Sequence, residues 1–138
     1  MLDELNTKKS GRSVEVQLKY DQYKQQIQAG HGSEMPCPFC EPLTEDRRQV
    51  SQTPTMMVVE NDFPYEFFDN REVEKHLMIV PKRHIGEYVE FSDDEQYEYW
   101  QLISEYQSQQ YAIFTRAVGD EMRSVPFHLH THVVSYIN

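Results

Sequence analysis

The sequence predicts an α+β protein, with an antiparallel β-sheet, one long helix against it and an N-terminal helical extension. Three observations carry that prediction. Short apolar runs bounded by Pro, Asn and Asp recur along the chain; a capped helical stretch lies between two groups of them; and a separate helical stripe precedes the first. With 138 residues and 17 aromatics (nine Tyr, seven Phe, one Trp), the chain has material for one core, although its mean hydropathy is only −0.74.

The elements follow in order. From Ser13 to about Ala29, the residues Val16, Tyr20, Tyr23 and Ile27 form a helical stripe that Gly30 is expected to end. The prolines in Met35-Pro36-Cys37-Pro38-Phe39-Cys40 exclude a regular helix or central strand and favour a stiff knuckle. After a charged turn (Glu45 to Arg48), Thr55 to Glu60 reads as a strand that stops at Asn61-Asp62. Phe67-Phe68-Asp69 reads as a short strand, and Asn70 to Glu74 as a charged turn. His76 to Val80 is a nearly continuous apolar run, as expected of a strand in mid-sheet, and Pro81 closes it. Ser92-Asp93-Asp94-Glu95 is a capping box opening the long helix, whose apolar face is expected to carry Tyr99, Trp100, Ile103 and Tyr106. Strands over Tyr111 to Val118 and His128 to Tyr136 complete the order. The expected organisation is an extension over 1–34 and a main domain over 35–138.

Charge and cysteine content narrow the function. Thirteen Lys and Arg against 23 Asp and Glu give a net charge of −10, which repels phosphate backbones and argues against duplex nucleic acid as a partner. Any anionic ligand is expected to be small and locally gripped. No stretch approaches the roughly 20 apolar residues of a membrane span, and Met1 to Lys9 holds no signal-like apolar run, so the expectation is a cytoplasmic protein without membrane partners. Cys37 and Cys40 close too short a loop to staple the fold, and read as a metal or redox pair. A redox pair of the thioredoxin kind should open a helix, whereas Glu41-Pro42 follows here.

The most informative segment is Ser124-Val125-Pro126-Phe127-His128-Leu129-His130-Thr131-His132-Val133-Val134. On a strand, alternate residues share a face, so three imidazoles stand in a row with Leu129, Thr131 and Val133 opposite. Three buried rings each need a polar partner, which makes a purely structural row hard to explain. One ion cannot hold all three, because the outer two lie about 13 Å apart on a straight strand. A zinc hydrolase using two of them with water stays open as an alternative.

This run resembles the signature of the histidine triad (HIT) family of nucleotidyl hydrolases and transferases. Three further features match in chain order: Cys37-Pro38-Phe39-Cys40, Phe68-Asp69 before a turn, and His76-Leu77-Met78-Ile79-Val80-Pro81-Lys82-Arg83-His84. The resemblance covers about Cys37 to Val134 and implies an enzyme of the HIT-like fold. It implies His130 as nucleophile at an α-phosphorus with a covalent nucleotidyl-histidine, His132 on the phosphate and Ser124 as a hydroxyl donor. A neutral imidazole suits that chemistry, since it can attack and later leave near pH 7.

Two cysteines cannot complete a tetrahedral zinc site alone. By resemblance, His84 and His128 join Cys37 and Cys40 around a structural Zn2+; His31 is an alternative to His84, and a pair of unligated cysteines remains open. The family also implies substrate contacts at Asp69, for ribose hydroxyls, and at His76, together with a homodimer paired through the long helix. An apolar slot for a base can draw on Val59, Phe63, Phe67 and Phe68. The chain departs from the common pattern ahead of the triad, where Arg123 precedes Ser124 and amide residues are missing. Arg123 or Arg116 is the candidate to bind phosphate in their place. A nucleotide-binding module without turnover is the rival from another class.

Overall fold

A computed structural model of the chain describes residues 10–29, 37–40, 49–120, 122–123, 125 and 127–138, with residues 26–29 described by their backbone alone. In chain order these are α1 (Val14–Ala29), β1 (Gln49–Gln52), β2 (Met56–Glu60), β3 (Phe67–Phe68), β4 (Arg71–Pro81), a 3-10 turn (Tyr88–Glu90), α2 (Asp93–Ser108), β5 (Ala112–Phe114) and β6 (Thr131–Tyr136). The sheet order is β1-β2-β4-β6-β5 with antiparallel neighbours throughout, and β3 pairs with β4 beside that path. The α+β prediction holds.

The two faces of the sheet have different chemistry, and the pleat decides which residue goes where. Met56, Val58, Leu77, Ile79 and Val133 face α2 and pack on Tyr99, Leu102 and Tyr106. Val59, Met78 and Val80 point the other way, toward Phe39 of the knuckle and Val125. His130 and His132 alternate with Thr131, so they share this second face. Thr131 is fully buried on the helix side, and its hydroxyl is 2.9 Å from Tyr99 Oη and 2.8 Å from Thr115 Oγ1. That hydroxyl cluster satisfies a buried polar group and fixes the strand start between the two histidines.

Helix α2 starts where the sequence places it. Ser92 Oγ accepts from Glu95 N–H at 3.2 Å, and Glu95 Oε1 accepts from Ser92 N–H at 2.8 Å. Glu95 is almost fully buried and also accepts from Arg83, 2.8 Å from its Nη2. The Arg83 bond holds the Glu95 carboxyl below the usual carboxylate range. One carboxylate thus caps the helix and ties down the loop that carries His84.

Helix α1 lies on the histidine side of the sheet. Tyr20 is buried and its ring meets Phe63 edge-on at 5.5 Å, while Tyr23 sits 5.0 Å from the same ring. Ahead of the helix, Gly11 bridges to Phe67, its N–H donating to Phe67 O at 3.0 Å. A Cβ at Gly11 would lie 3.0 Å from the Phe67 ring, so this approach suits glycine.

Several expected boundaries move. Arg71 to Glu74 is strand rather than turn, the turn being only Asp69-Asn70, both at positive φ (52° and 59°). Its first half is mostly exposed, so apolar content could not reveal it, and pairing with β3 and β6 holds it extended. Strand β1 was not expected: all four residues are exposed on an edge, with no apolar pattern. β5 is three residues long, not eight, and Trp100 is 58% exposed while Leu102 takes the core position. The triad strand begins at Thr131 rather than His128. The Gly30 stop, the Glu45 to Arg48 turn, His31 and Ser124 lie outside the described residues.

Candidate active site and metal centre

His128 lies in a bend from which Leu129 and His130 lead into β6. Leu129 N–H donates to Ile85 O at 2.7 Å, and Leu129 is buried. His128 and His130 each stand 5.3 Å, centroid to centroid, from the Phe39 ring. The first two histidines therefore share a wall, although they precede the strand.

His130 is 2% exposed, and its Nδ1–H donates to its neighbour's backbone, His128 O, at 2.9 Å. That bond assigns the proton to Nδ1 and leaves the Nε2 lone pair outward; among the described residues no hydrogen bond engages Nε2. Burial pushes the ring pKa down to about 4; the bond to His128 O opposes this, and the Arg123 charge adds to it. At neutral pH the ring is an uncharged base with one free nitrogen. Arg123 itself is buried, donating from Nη2 to Gly86 O at 3.1 Å.

A second chain of bonds assigns the other two rings. Tyr65 N–H donates to His76 Nδ1 at 3.1 Å, so His76 carries its proton on Nε2. That proton is donated to His132 Nδ1 at 2.9 Å, which places the His132 proton on Nε2. The Asn61 amide packs 3.2 Å from His76 Nε2, its Oδ1 held by Phe63 N–H at 2.7 Å. Both rings stay neutral: His76 is pushed down to about 3 by burial and then by the Arg12 charge, and His132 well below its ordinary value by burial, His76, His130, Arg116 and Arg12. Phe114 stacks on His132 with ring centroids 4.6 Å apart and fixes its plane.

A small cavity of about 30 Å³ opens beside His132, walled by Phe39, Asn61, Phe63, Arg12 and Arg116. Asp69 is not brought there. It sits on the β3–β4 turn, its N–H donating to Ser10 Oγ, near Tyr136 at the other end of β6. Of the expected apolar slot, Phe63 lines the cavity, whereas Phe68 stacks on Phe114 and Phe67 packs on Gly11. Asn61, Asp62, Tyr65 and Arg12 were not anticipated. Asn61 was within reach of sequence reasoning, being two residues past Val59 on the same face; nothing in the sequence marks Arg12.

The metal candidates converge. Cys37, Cys40, His84 and His128 bring one donor atom each within 4.8 Å of one another. The Cys37 and Cys40 Sγ atoms lie 3.3 and 3.5 Å from His128 Nδ1, Cys40 Sγ is 3.1 Å from His84 Nδ1, and the two Nδ1 atoms are 3.2 Å apart. Bonds of about 2.1 Å to nitrogen and 2.3 Å to sulfur give tetrahedral edges of about 3.4 Å between nitrogens and about 3.6 Å from nitrogen to sulfur, so small outward shifts of these donors would seat one four-coordinate ion. His128 Nε2–H donates to Pro81 O at 2.8 Å, which turns the Nδ1 lone pair to the cluster. These residues can hold a metal ion.

The comparisons decide the family. A family model described as HIT domain matches residues 50–137. The chain belongs to the HIT-domain family. No curated protein matches it. Solved structures with similar folds include a HIT family hydrolase from Legionella pneumophila Philadelphia 1, at 17% identity, covering 74% of this chain and 91% of that one with a TM-score of 0.50. Another is a HIT family hydrolase from Clostridium thermocellum, at 16% identity, 74% and 91% coverage and a TM-score of 0.51. A hypothetical protein from Leishmania major gives 16% identity, 70% and 68% coverage and a TM-score of 0.54. At these identities the likeness establishes the HIT fold. The HIT match begins at residue 50, so α1 and the Cys37 to Cys40 knuckle lie ahead of the matched segment.

Proposed function

We propose that this HIT protein is a nucleotide hydrolase or nucleotidyltransferase that acts at an α-phosphate through a covalent intermediate on His130. One observation carries the reading: the Nδ1–H bond to His128 O leaves Nε2 of a neutral, buried imidazole as a free nucleophile. In the first step the Nε2 lone pair forms a bond to the α-phosphorus, and the bond to the leaving group breaks with its electron pair going to that group. The ring then carries positive charge with its Nδ1 proton retained, and the His128 carbonyl stabilises it. In the second step the oxygen of water or another acceptor attacks phosphorus, the P–N bond returns its pair to Nε2, and the acceptor loses a proton.

His132 supports both steps as a donor. The relay Tyr65 N–H to His76 to His132 leaves His132 Nε2–H available to a phosphate oxygen, an oriented dipole that needs no reorganisation during reaction. Arg123, buried near His130, and Ser124 are proposed to contact the phosphate or its leaving group. His76 acts by orienting His132, while a ribose contact by Asp69, inferred from resemblance, would lie outside the cavity beside His132. The four Cys and His donors would hold a structural zinc that fixes His128, and with it the carbonyl that sets the His130 tautomer. We take the domain to start near residue 35, with 1–34 as an extension, and the protein to be a cytoplasmic homodimer.

The test is to mix protein with adenosine phosphoramidate or diadenosine tetraphosphate, quench in base, and identify adducts by mass spectrometry. A nucleotidyl adduct on His130, absent from His130→Ala together with turnover, is the expected result. Turnover by His130→Ala at the wild-type rate would overturn the nucleophile, and binding without products would favour the sensor reading.

A further inference from the structure

Arg12 and Arg116 approach the same ring, that of Tyr65, from chain segments remote in sequence. Arg12 lies over Tyr20 at 3.9 Å and Tyr65 at 4.5 Å from the ring centroids, and its Nε–H donates to Phe63 O at 2.7 Å. Arg116 Nη2–H donates to Tyr65 Oη at 2.9 Å. Both guanidinium groups are positioned by contacts that leave other N–H donors unused, and neither forms an ion pair with a carboxylate among the described residues. The two cations thus stand together in a chain of net charge −10.

Their position relative to the proposed chemistry is the second observation. Both line the cavity beside His132, and both also line a groove of about 810 Å³ that runs outward along α1. Tyr20, Tyr65 and Met122 are the other residues common to the two spaces, so the arginines stand at the junction. Asp62 lines the inner cavity, and Asp21 and Lys24 line the outer groove, so cations outnumber carboxylates across the two spaces.

We propose that Arg12 and Arg116 form a clamp for the phosphate of an anionic leaving group, so that this protein selects nucleotides whose α-phosphate carries a further phosphate rather than an uncharged amine. The proposal rests on the nucleotidyl-transfer reading above. With the α-phosphorus against His130 Nε2 and an oxygen on His132, the proposal places the leaving group on the His132 side, where the planar guanidinium forks can donate to its phosphate oxygens. The contribution of Arg12 comes from outside the span matched by the HIT family model, through the Gly11–Phe67 bridge and the docking of α1. Selectivity would thus draw on one arginine from inside the matched span and one from ahead of it.

Two measurements test the clamp. The first is calorimetric titration of the whole protein with inorganic pyrophosphate, which needs no turnover. Arg12→Met and Arg116→Met, which keep the apolar stems, are each expected to weaken binding about tenfold or more, with Arg12→Lys in between. The second is the ratio of kcat/KM for diadenosine tetraphosphate to that for adenosine phosphoramidate, expected to fall about tenfold or more in the same variants. Absent pyrophosphate binding in the wild type, or unchanged affinity in both Met variants, overturns the clamp; an unchanged ratio overturns its assignment to the leaving group. Should wild type cleave neither nucleotide, the nucleotidyl-transfer reading fails while the pyrophosphate titration still decides the clamp. If Arg12→Met does not fold, Arg116→Met and Arg12→Lys carry both measurements.

Discussion

His130 and His128 are two residues apart, yet their environments assign them to different chemistry. His128 turns Nδ1 toward two sulfurs and His84, whereas His130 turns Nδ1 into a backbone carbonyl and keeps Nε2 outward. Metal content and activity are therefore expected to separate. Cys37→Ala should lose bound zinc, while His130→Ala keeps about one ion per chain, by elemental analysis after dialysis. Metal retained by the cysteine variant would remove the four-donor site. His76 offers a second contrast, since it reaches the substrate only through His132. In His76→Ala, His132 Nδ1 loses its donor and the ring is free to take the wrong tautomer; kcat should fall about tenfold to a hundredfold with KM little changed. An equal rise in KM would make His76 a binding residue instead.

At the scale of elements, the long helix and the loop before it act as one unit through Glu95. Its carboxylate accepts from the Ser92 backbone and from Arg83, next to the proposed ligand His84. Ser92→Ala removes the reciprocal cap and should cost about 1 kcal/mol, lowering Tm by about 4 °C without changing metal content. A Tm unchanged by that substitution would mean that packing of Tyr99, Leu102 and Tyr106 alone holds the helix start. These features were legible in the sequence because capping is local: Ser92 and Glu95 are three residues apart. Strand β1 and the first half of β4 were not, since exposed polar residues are held extended by partners remote in sequence.

For the whole molecule, buried neutral histidines set the response to acid. The folded pKa values of His76 and His132 lie below the ordinary 6.5, so in acid the unfolded chain binds protons that the folded one refuses. The sign follows: stability is complete above about pH 6.5 and declines as pH falls, by up to about 1.4 kcal/mol per pH unit for each ring. Urea midpoints at pH 7.5, 6.0 and 5.0 should fall in that order, and equal midpoints would contradict a buried neutral pair. No helix among the described residues is long and apolar enough to cross a membrane. Tyr97 and Trp100 are 65% and 58% exposed on α2, which suits the proposed homodimer. Sedimentation of wild type as a dimer and of Trp100→Glu as a monomer is the expected result; a wild-type monomer would refute it.

Alone, the sequence determined the α+β class, the helix start at Ser92, the shared face of His130 and His132, and the four candidate ligands, of which His84 and His128 came by family resemblance. These follow from short-range periodicity and capping, or from spaced motifs that survive in the order of residues. Only the tertiary structure decided which nitrogen of each ring carries the proton, that Asp69 turns away while Asn61 borders the cavity, and that Arg12 stands beside Arg116. Those outcomes depend on which strands neighbour one another and on how α1 folds back over the sheet. Such juxtapositions join residues far apart along the chain and leave no local pattern to read.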